Sequence, residues 1–142
     1  MISINPYLNF MGNTAEAMNF YKSVFGGEFT SFQQFKNSPG HEKMPKNEQE
    51  MVMHSSLPLG KNVLMATDTL ESMGQSITMG NNFYMCINTE SEEETDRFFK
   101  QLSEGGKIEM PLNKTFWGAY FGMCVDKFGV QWMLSYDTNM AS

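Results

Sequence analysis

The chain has 142 residues, 41% of them hydrophobic and 18% charged, with a formal net charge of −6 and only 10 Lys and Arg. That balance excludes nucleic acid as a partner, since neutralising phosphates takes clustered cations, and no apolar run approaches the ~20 residues that cross a bilayer. Two cysteines make no disulfide framework, and "MISINPYLNF" shows no basic region leading into an apolar stretch, so a cytoplasmic location is expected.

"NPYLNF" alternates with period two: Leu8 and Phe10 share one parity, and Asn5, Tyr7 and Asn9 the other. Asn13 with Glu16 three residues on predicts a capping box for the helix "TAEAMNFYKSVF". Its stripe is Ala17, Tyr21, Val24 and Phe25, and Gly26-Gly27 stop it. "EFTSFQQF" predicts a strand and "KNSPGHEKMPKNEQE" a polar loop. "MVMHSSLPLG" and "NVLMATD" predict a hairpin around Gly60-Lys61.

The pattern then repeats. "NNFYMCINTE" is a strand, Ser91 with Glu94 a second capping box, and "EEETDRFFKQLSE" a helix stopped at Gly105-Gly106. "KIEMPL", "AYFGMCVD" and "VQWMLSYD" are further strands. Phe20-Tyr21 and Phe98-Phe99 lie 78 residues apart and the double glycines 79, a near-constant offset expected of a true repeat. Residues 1–142 are therefore expected to form one α+β domain of two βαβββ modules, about residues 1–70 and 80–138. Each is too thin to bury both faces of its sheet, so a curved mixed sheet with the helices outside and a cavity on the other face is expected.

The stretches "NPYLNFMGNTAEAMNFYKSVFGGEF", "HSSLPLGKNVLMATD" and "GGKIEMPLNKTFWGAYFGMCVDKFGVQWML" resemble the PhnB-like group of the vicinal oxygen chelate superfamily. This superfamily includes glyoxalase I, extradiol dioxygenases and bleomycin-resistance proteins. The resemblance implies a small-molecule pocket, usually completed in a homodimer. In metal-dependent members it implies ligands on the first, fourth, fifth and eighth strands. Those positions fall here on Asn5 or Pro6, near Met65, on Asn82 and on Met133. Amides and thioethers are poor partners for Zn²⁺, Ni²⁺, Mn²⁺ or Fe²⁺, so neither metal nor cofactor is expected. PhnB-like chains are sometimes labelled demethylubiquinone methyltransferases. No glycine-rich cofactor loop opens a helix in this chain, and that activity is set aside.

Parity places Asn5, Tyr7, Asn9, His54, Ser56, Asn82, Tyr84, Cys86, Gln131, Met133 and Ser135 toward the pocket. Val130, Trp132 and Leu134 face the helix. Tyr7, Asn9, His54, Ser56, Asn82, Tyr84, Trp117, Gln131 and Met133 are the candidate ligand-binding residues, a neutral set suited to an uncharged or weakly polar molecule. His54 is read either as a general base or ligand-orienting donor, or as a structural histidine at the pocket rim. His41 is expected to be solvated, Cys86 and Cys124 to be buried inert thiols, and Asp126 to make a turn. Glu92, Glu93 and Glu94 suit a helix N-terminus. The expected function is metal-independent small-molecule binding, by sequestration as in bleomycin-resistance proteins. The alternative is an enzyme of lyase, dioxygenase or transferase type, using His54 with a rearranged metal site or as acid and base.

Overall fold

The computed structural model describes residues 2–138; Met1 and residues 139–142, included in the expected domain, lie outside the described residues. The chain divides into two compact units, Met1–Thr78 and Met79–Ser142.

In the first unit β1 (Tyr7–Phe10) leads to α1 (Thr14–Phe25) and β2 (Ser31–Gln34). A single turn, α2 (Lys46–Gln49), then precedes the hairpin β3 (Val52–Leu59) and β4 (Asn62–Asp68). The strand order is β1-β4-β3-β2, with β1 parallel to β4 and the other pairs antiparallel. One face of α1, made of Thr14, Ala17, Met18, Tyr21 and Val24, is buried. It packs on β3 and β4, where Leu57, Leu64 and Ala66 are also fully buried. Each large apolar side chain removed from water there contributes about 1.5–3 kcal/mol. Met18 completes the stripe, and Phe25, expected on it, is only partly covered.

The cap of α1 differs from the expected box. Asn13 makes no side-chain cap bond. Asp68, buried at the end of β4, supplies the acceptor instead. Its Oδ1 accepts from Gly12 N at 2.8 Å, Thr14 N at 3.2 Å and Thr14 Oγ1 at 2.7 Å, while its Oδ2 accepts from Val52 N at 2.8 Å. A carboxylate at a helix N-terminus satisfies orphan amides and complements the helix dipole. One side chain thus joins the start of α1, the end of β4 and the start of β3.

The segment expected as a polar loop is more ordered than its composition suggested. It carries 3₁₀ turns at Phe35–Asn37 and His41–Lys43 before α2. Glu48 of α2 is buried and accepts from Ser72 N at 3.1 Å and from the Ser72 hydroxyl. The bond ties this segment to the chain that follows β4. β2 is shorter than expected because the chain turns into the first 3₁₀ segment at Phe35.

The second unit contains β5 (Met85–Asn88), α3 (Glu92–Ser103), β6 (Lys107–Lys114), β7 (Ala119–Val125) and β8 (Gln131–Asp137). Its strand order β5-β8-β7-β6, with β5 parallel to β8, repeats that of the first unit. Here the capping serine does its work: Ser91 Oγ accepts from Glu94 N at 3.1 Å, and Glu94 Oε1 accepts from Glu90 N at 3.1 Å. Phe98, Phe99 and Leu102 bury one side of α3 against the sheet, where Trp132, Leu134 and Cys124 are buried. Asp126 makes the expected turn, accepting from Phe128 N at 2.8 Å and Val130 N at 3.0 Å. It also receives the Trp132 indole N–H at 2.8 Å. At Gly106 a Cβ would stand 2.1 Å from the Val125 carbonyl oxygen, so only glycine fits this passage from α3 into β6. Among the described residues no helix is long and apolar enough to cross a membrane.

Asp68→Ala strands several buried donors at once, so unfolding in urea should show a loss of about 3 kcal/mol. The hydroxyl of Tyr120 on β7 donates to Asp96 Oδ1 on α3 at 2.5 Å, and this bond, with some desolvation and the charges of Asp96 and Glu92, pushes Tyr120 up to about 12. A folded-state value raised above the ordinary 10.0 contributes stability that is complete below pH 10 and lost as the pH rises through about 12. A spectrophotometric tyrosine titration should show this late ionisation, and Asp96→Asn should bring it back toward 10.

Candidate functional site

In the first unit α1 covers one face of the sheet, and the opposite face carries the candidate residues. Opposed partners in a sheet share a face, and the registers Tyr7↔Met65↔Ser56↔Ser31 and Gln33↔His54 define the rows. Tyr7 Oη and His54 Nδ1 are hydrogen-bonded at 3.0 Å, their rings 5.9 Å apart. Neither alternation nor spacing announces this pair, because 47 residues separate its members.

The β2–β3 pairing slips by one residue: Gln33 opposes His54 but Gln34 opposes Val52. Met53 is the bulged residue, and the bulge breaks the alternation that would otherwise set it on the face opposite to His54. Met53 instead lines a pocket of about 570 Å³ together with Asn9 and Thr67 of the same sheet face. Phe35 and the arm after β4, including Leu70, Met73, Gln75 and Ile77, supply the other walls. The arm is held in shape by the Glu48–Ser72 bonds and by Leu70 N donating to Gln75 Oε1 at 2.8 Å. Asp68 also borders the pocket, its oxygens already engaged by the donors named above. The lining is therefore apolar and thioether surface with amide and hydroxyl groups. Of the expected ligand-binding residues only Asn9 lines this pocket. The arm carried no periodic signal that would have selected it.

The remaining candidates are placed as follows. Ser56 is buried, and its hydroxyl is paired with that of Thr30 at 2.6 Å. Asn5 Oδ1 accepts from Val63 N at 2.9 Å, so this amide extends the β1–β4 ladder. His41 Nδ1 lies 3.1 Å from Ser38 O and 3.4 Å from Glu42 Oε2.

In the second unit β5 begins only at Met85, so Asn82 and Tyr84 precede the strand on which parity had placed them. Tyr84 donates to Glu109 Oε1 on β6 at 2.7 Å, although β8 and β7 lie between β5 and β6 in the sheet. That bond, with partial burial and the charge of the same carboxylate, raises the Tyr84 ionisation above its ordinary value. Gln131 is buried and its amide donates to Phe83 O at 2.5 Å. Trp117 is 56% exposed and meets Phe116 edge-on at 5.1 Å and Phe121 at 6.1 Å. Met133 is half-buried on the face away from α3, between Cys86 and Met123. Cys86 is exposed rather than buried, because β5 is an edge strand. Desolvation by the surrounding protein raises both thiols, for Cys86 despite its exposed position, and the charges of Asp126 and Glu109 help bring Cys124 to about 12, so neither is an activated nucleophile.

Paired βαβββ units with this strand order form the glyoxalase/bleomycin-resistance fold. A glyoxalase/bleomycin resistance protein/dioxygenase family enzyme from Burkholderia phytofirmans PsJN matches with a TM-score of 0.61 over 92% of this chain and 96% of its own, at 18% identity, a likeness of fold alone. The family described as 3-demethylubiquinone-9 3-methyltransferase matches residues 2–135, and the chain belongs to that family. Protein PA1353 from Pseudomonas aeruginosa is 36% identical, with a TM-score of 0.84 over 96% of this chain and 98% of its own. The PhnB protein from Bacillus cereus is 31% identical, with a TM-score of 0.76 over 95% and 99%. The chain is thus PhnB-like, as the sequence resemblance implied.

The positions onto which the resemblance carries the ligands of metal-dependent relatives do not fit a hard or borderline cation. The Asn5 amide oxygen is committed to the Val63 amide, the alternative Pro6 has no donor side chain, Asn82 offers a neutral amide, and Met65 and Met133 offer thioethers. Among the described residues no three His, Cys, Asp or Glu side chains gather as a ligand set.

Tyr7→Phe should leave the backbone amide spectrum in place and shift the ¹⁵N resonances of the His54 ring. Unchanged ring resonances would mean that the Tyr7–His54 bond is not formed in solution.

Proposed function

We propose that the chain is a small-molecule binding protein that takes an uncharged or weakly polar ligand on the open sheet face of its first unit, without Zn²⁺, Ni²⁺, Mn²⁺ or Fe²⁺. The observation that carries this reading is the pocket of about 570 Å³, whose apolar and thioether walls are interrupted by the Asn9 amide, a few neutral hydrogen-bonding groups and Asp68, whose oxygens are already met by Gly12, Thr14 and Val52. A volume in the range of small-molecule sites, with few directional groups on an apolar lining, suits a neutral ligand held by contact area. The Tyr7–His54 pair stands on the same sheet face but outside this lining. The protein acts as a cytoplasmic homodimer and sequesters its ligand.

A second reading is favoured by the family description, which names methyl transfer, and by the Tyr7–His54 bond. In that reading His54 moves a proton while the substrate hydroxyl is activated. The two readings separate on one set of measurements. A thermal-shift screen of neutral aromatic and hydroxylated compounds should give ligands whose affinity falls about tenfold or more in Asn9→Leu and only modestly in His54→Ala. Formation of S-adenosylhomocysteine from S-adenosylmethionine and a demethylubiquinone, lost in a folded His54→Ala variant, would favour the enzyme. A stoichiometric Zn²⁺, Ni²⁺, Mn²⁺ or Fe²⁺ ion held with sub-micromolar affinity would overturn the proposal.

A further inference from the structure

The second unit carries an arrangement that the proposed function does not use. The pairings Cys86↔Met133 and Met133↔Met123 run straight across β5, β8 and β7, and Met110 of β6 opposes Met123 between two bulges that shift the β6–β7 register on either side of it. One thiol and three thioethers therefore stand in a single row spanning the whole sheet. Directly opposed residues point to the same face, and in the antiparallel pairs of β8, β7 and β6 they lie about 4.5–5.5 Å apart. That face is the one away from α3. The neighbours that alternate with the row, Trp132, Leu134 and Cys124, are buried on the helix side, and Gly122 would bring a Cβ to 2.9 Å from Phe99 of α3. The row is accessible: Cys86 is exposed, Met110 is 41% exposed, and Met123 and Met133 are half-buried.

We propose that this row is a binding site for a soft monovalent cation, Cu(I), with Ag(I) as its redox-inert analogue. Thioether sulfurs are soft, polarisable donors that suit Cu(I) and not hard ions such as Mg²⁺ or Ca²⁺, and with one thiol among three thioethers the set lacks the thiolates, imidazoles or carboxylates from which Zn²⁺ sites are built. Methionine has three rotatable side-chain bonds, so the sulfurs of Met123 and Met133, neighbours in the row, can converge on one ion without moving the backbone. Cys86 or Met110 closes the set from either side. Sulfur is the shared feature of all four positions. The competing account is that these methionines only fill an apolar face. Packing alone asks for volume, and leucine supplies nearly the same volume without a donor.

That difference is the test. The full chain is titrated anaerobically with Cu(I) against the chromogenic chelator bicinchoninate. Parallel samples go to X-ray absorption spectroscopy, and circular dichroism verifies the fold of every variant. The expected result is one Cu(I) per chain held against the chelator, with sulfur as the only scatterer. Met123→Leu and Met133→Leu should each weaken binding about tenfold or more, Cys86→Ser should weaken it measurably, and Met11→Leu and Met79→Leu should leave it unchanged. Ag(I) should compete and Zn²⁺ should not. No binding beyond the chelator, wild-type affinity in the folded Met123→Leu and Met133→Leu variants, equal losses in Met11→Leu and Met79→Leu, or nitrogen and oxygen scatterers would each overturn the proposal. The site belongs wholly to the second unit, so its failure leaves the pocket of the first unit untouched, and the reverse also holds.

Discussion

A single buried carboxylate organises the first unit. Asp68 closes β4 with both oxygens occupied, one at the N-terminus of α1 and the other at the first amide of β3. Burying a charge costs several kcal/mol unless it is met by donors, and a helix N-terminus provides donors together with the favourable end of the dipole. The arrangement satisfies both sides and fixes where α1 lies on the sheet. Once α1 is committed to the face of Leu57, Leu64 and Ala66, the opposite face is left to Tyr7, Asn9, His54 and Thr67. The candidate site is thus a consequence of how the helix is anchored.

The second unit reaches the same topology by different local chemistry. Ser91 and Glu94 cap α3, and the buried aspartate has moved to the turn between β7 and β8, where Asp126 gathers Phe128 N, Val130 N and the Trp132 indole. Each unit spends one buried carboxylate on a corner where backbone donors would otherwise be stranded. The open faces then diverge. The first presents hydroxyls, amides and an imidazole beside a pocket, and the second presents a transverse row of sulfur with aromatic rings of Trp117 and Phe121 nearby. A duplicated frame has been given two surfaces of different polarity and softness.

Much of the frame was legible from residue order. Both helices, their glycine stops, the hairpin around Gly60-Lys61, the Ser91 cap and the Asp126 turn follow from rules that act over four or five residues. The repeat was legible because its offset is nearly constant. The cap of α1 is not legible locally for the opposite reason: Asn13 satisfies the local rule, but Asp68, more than fifty residues away, holds the position. The strand assignment of Asn82 and Tyr84 failed because β5 has only four residues and pairs with β8 alone.

The sequence by itself determined the α+β class, the two βαβββ units and most of the buried face of α1. Those properties depend on periodicity and residue type, which are local and additive along the chain. Only the tertiary structure decided that Met53 bulges onto the pocket side, that Tyr7 meets His54, that the arm after β4 walls the cavity, and that Cys86, Met133, Met123 and Met110 fall in line. Each of these rests on strand register between distant segments, and one residue of slippage moves a side chain to the other face. Register is settled by the whole sheet at once, through its bulges and its buried carboxylates, and no short stretch contains it.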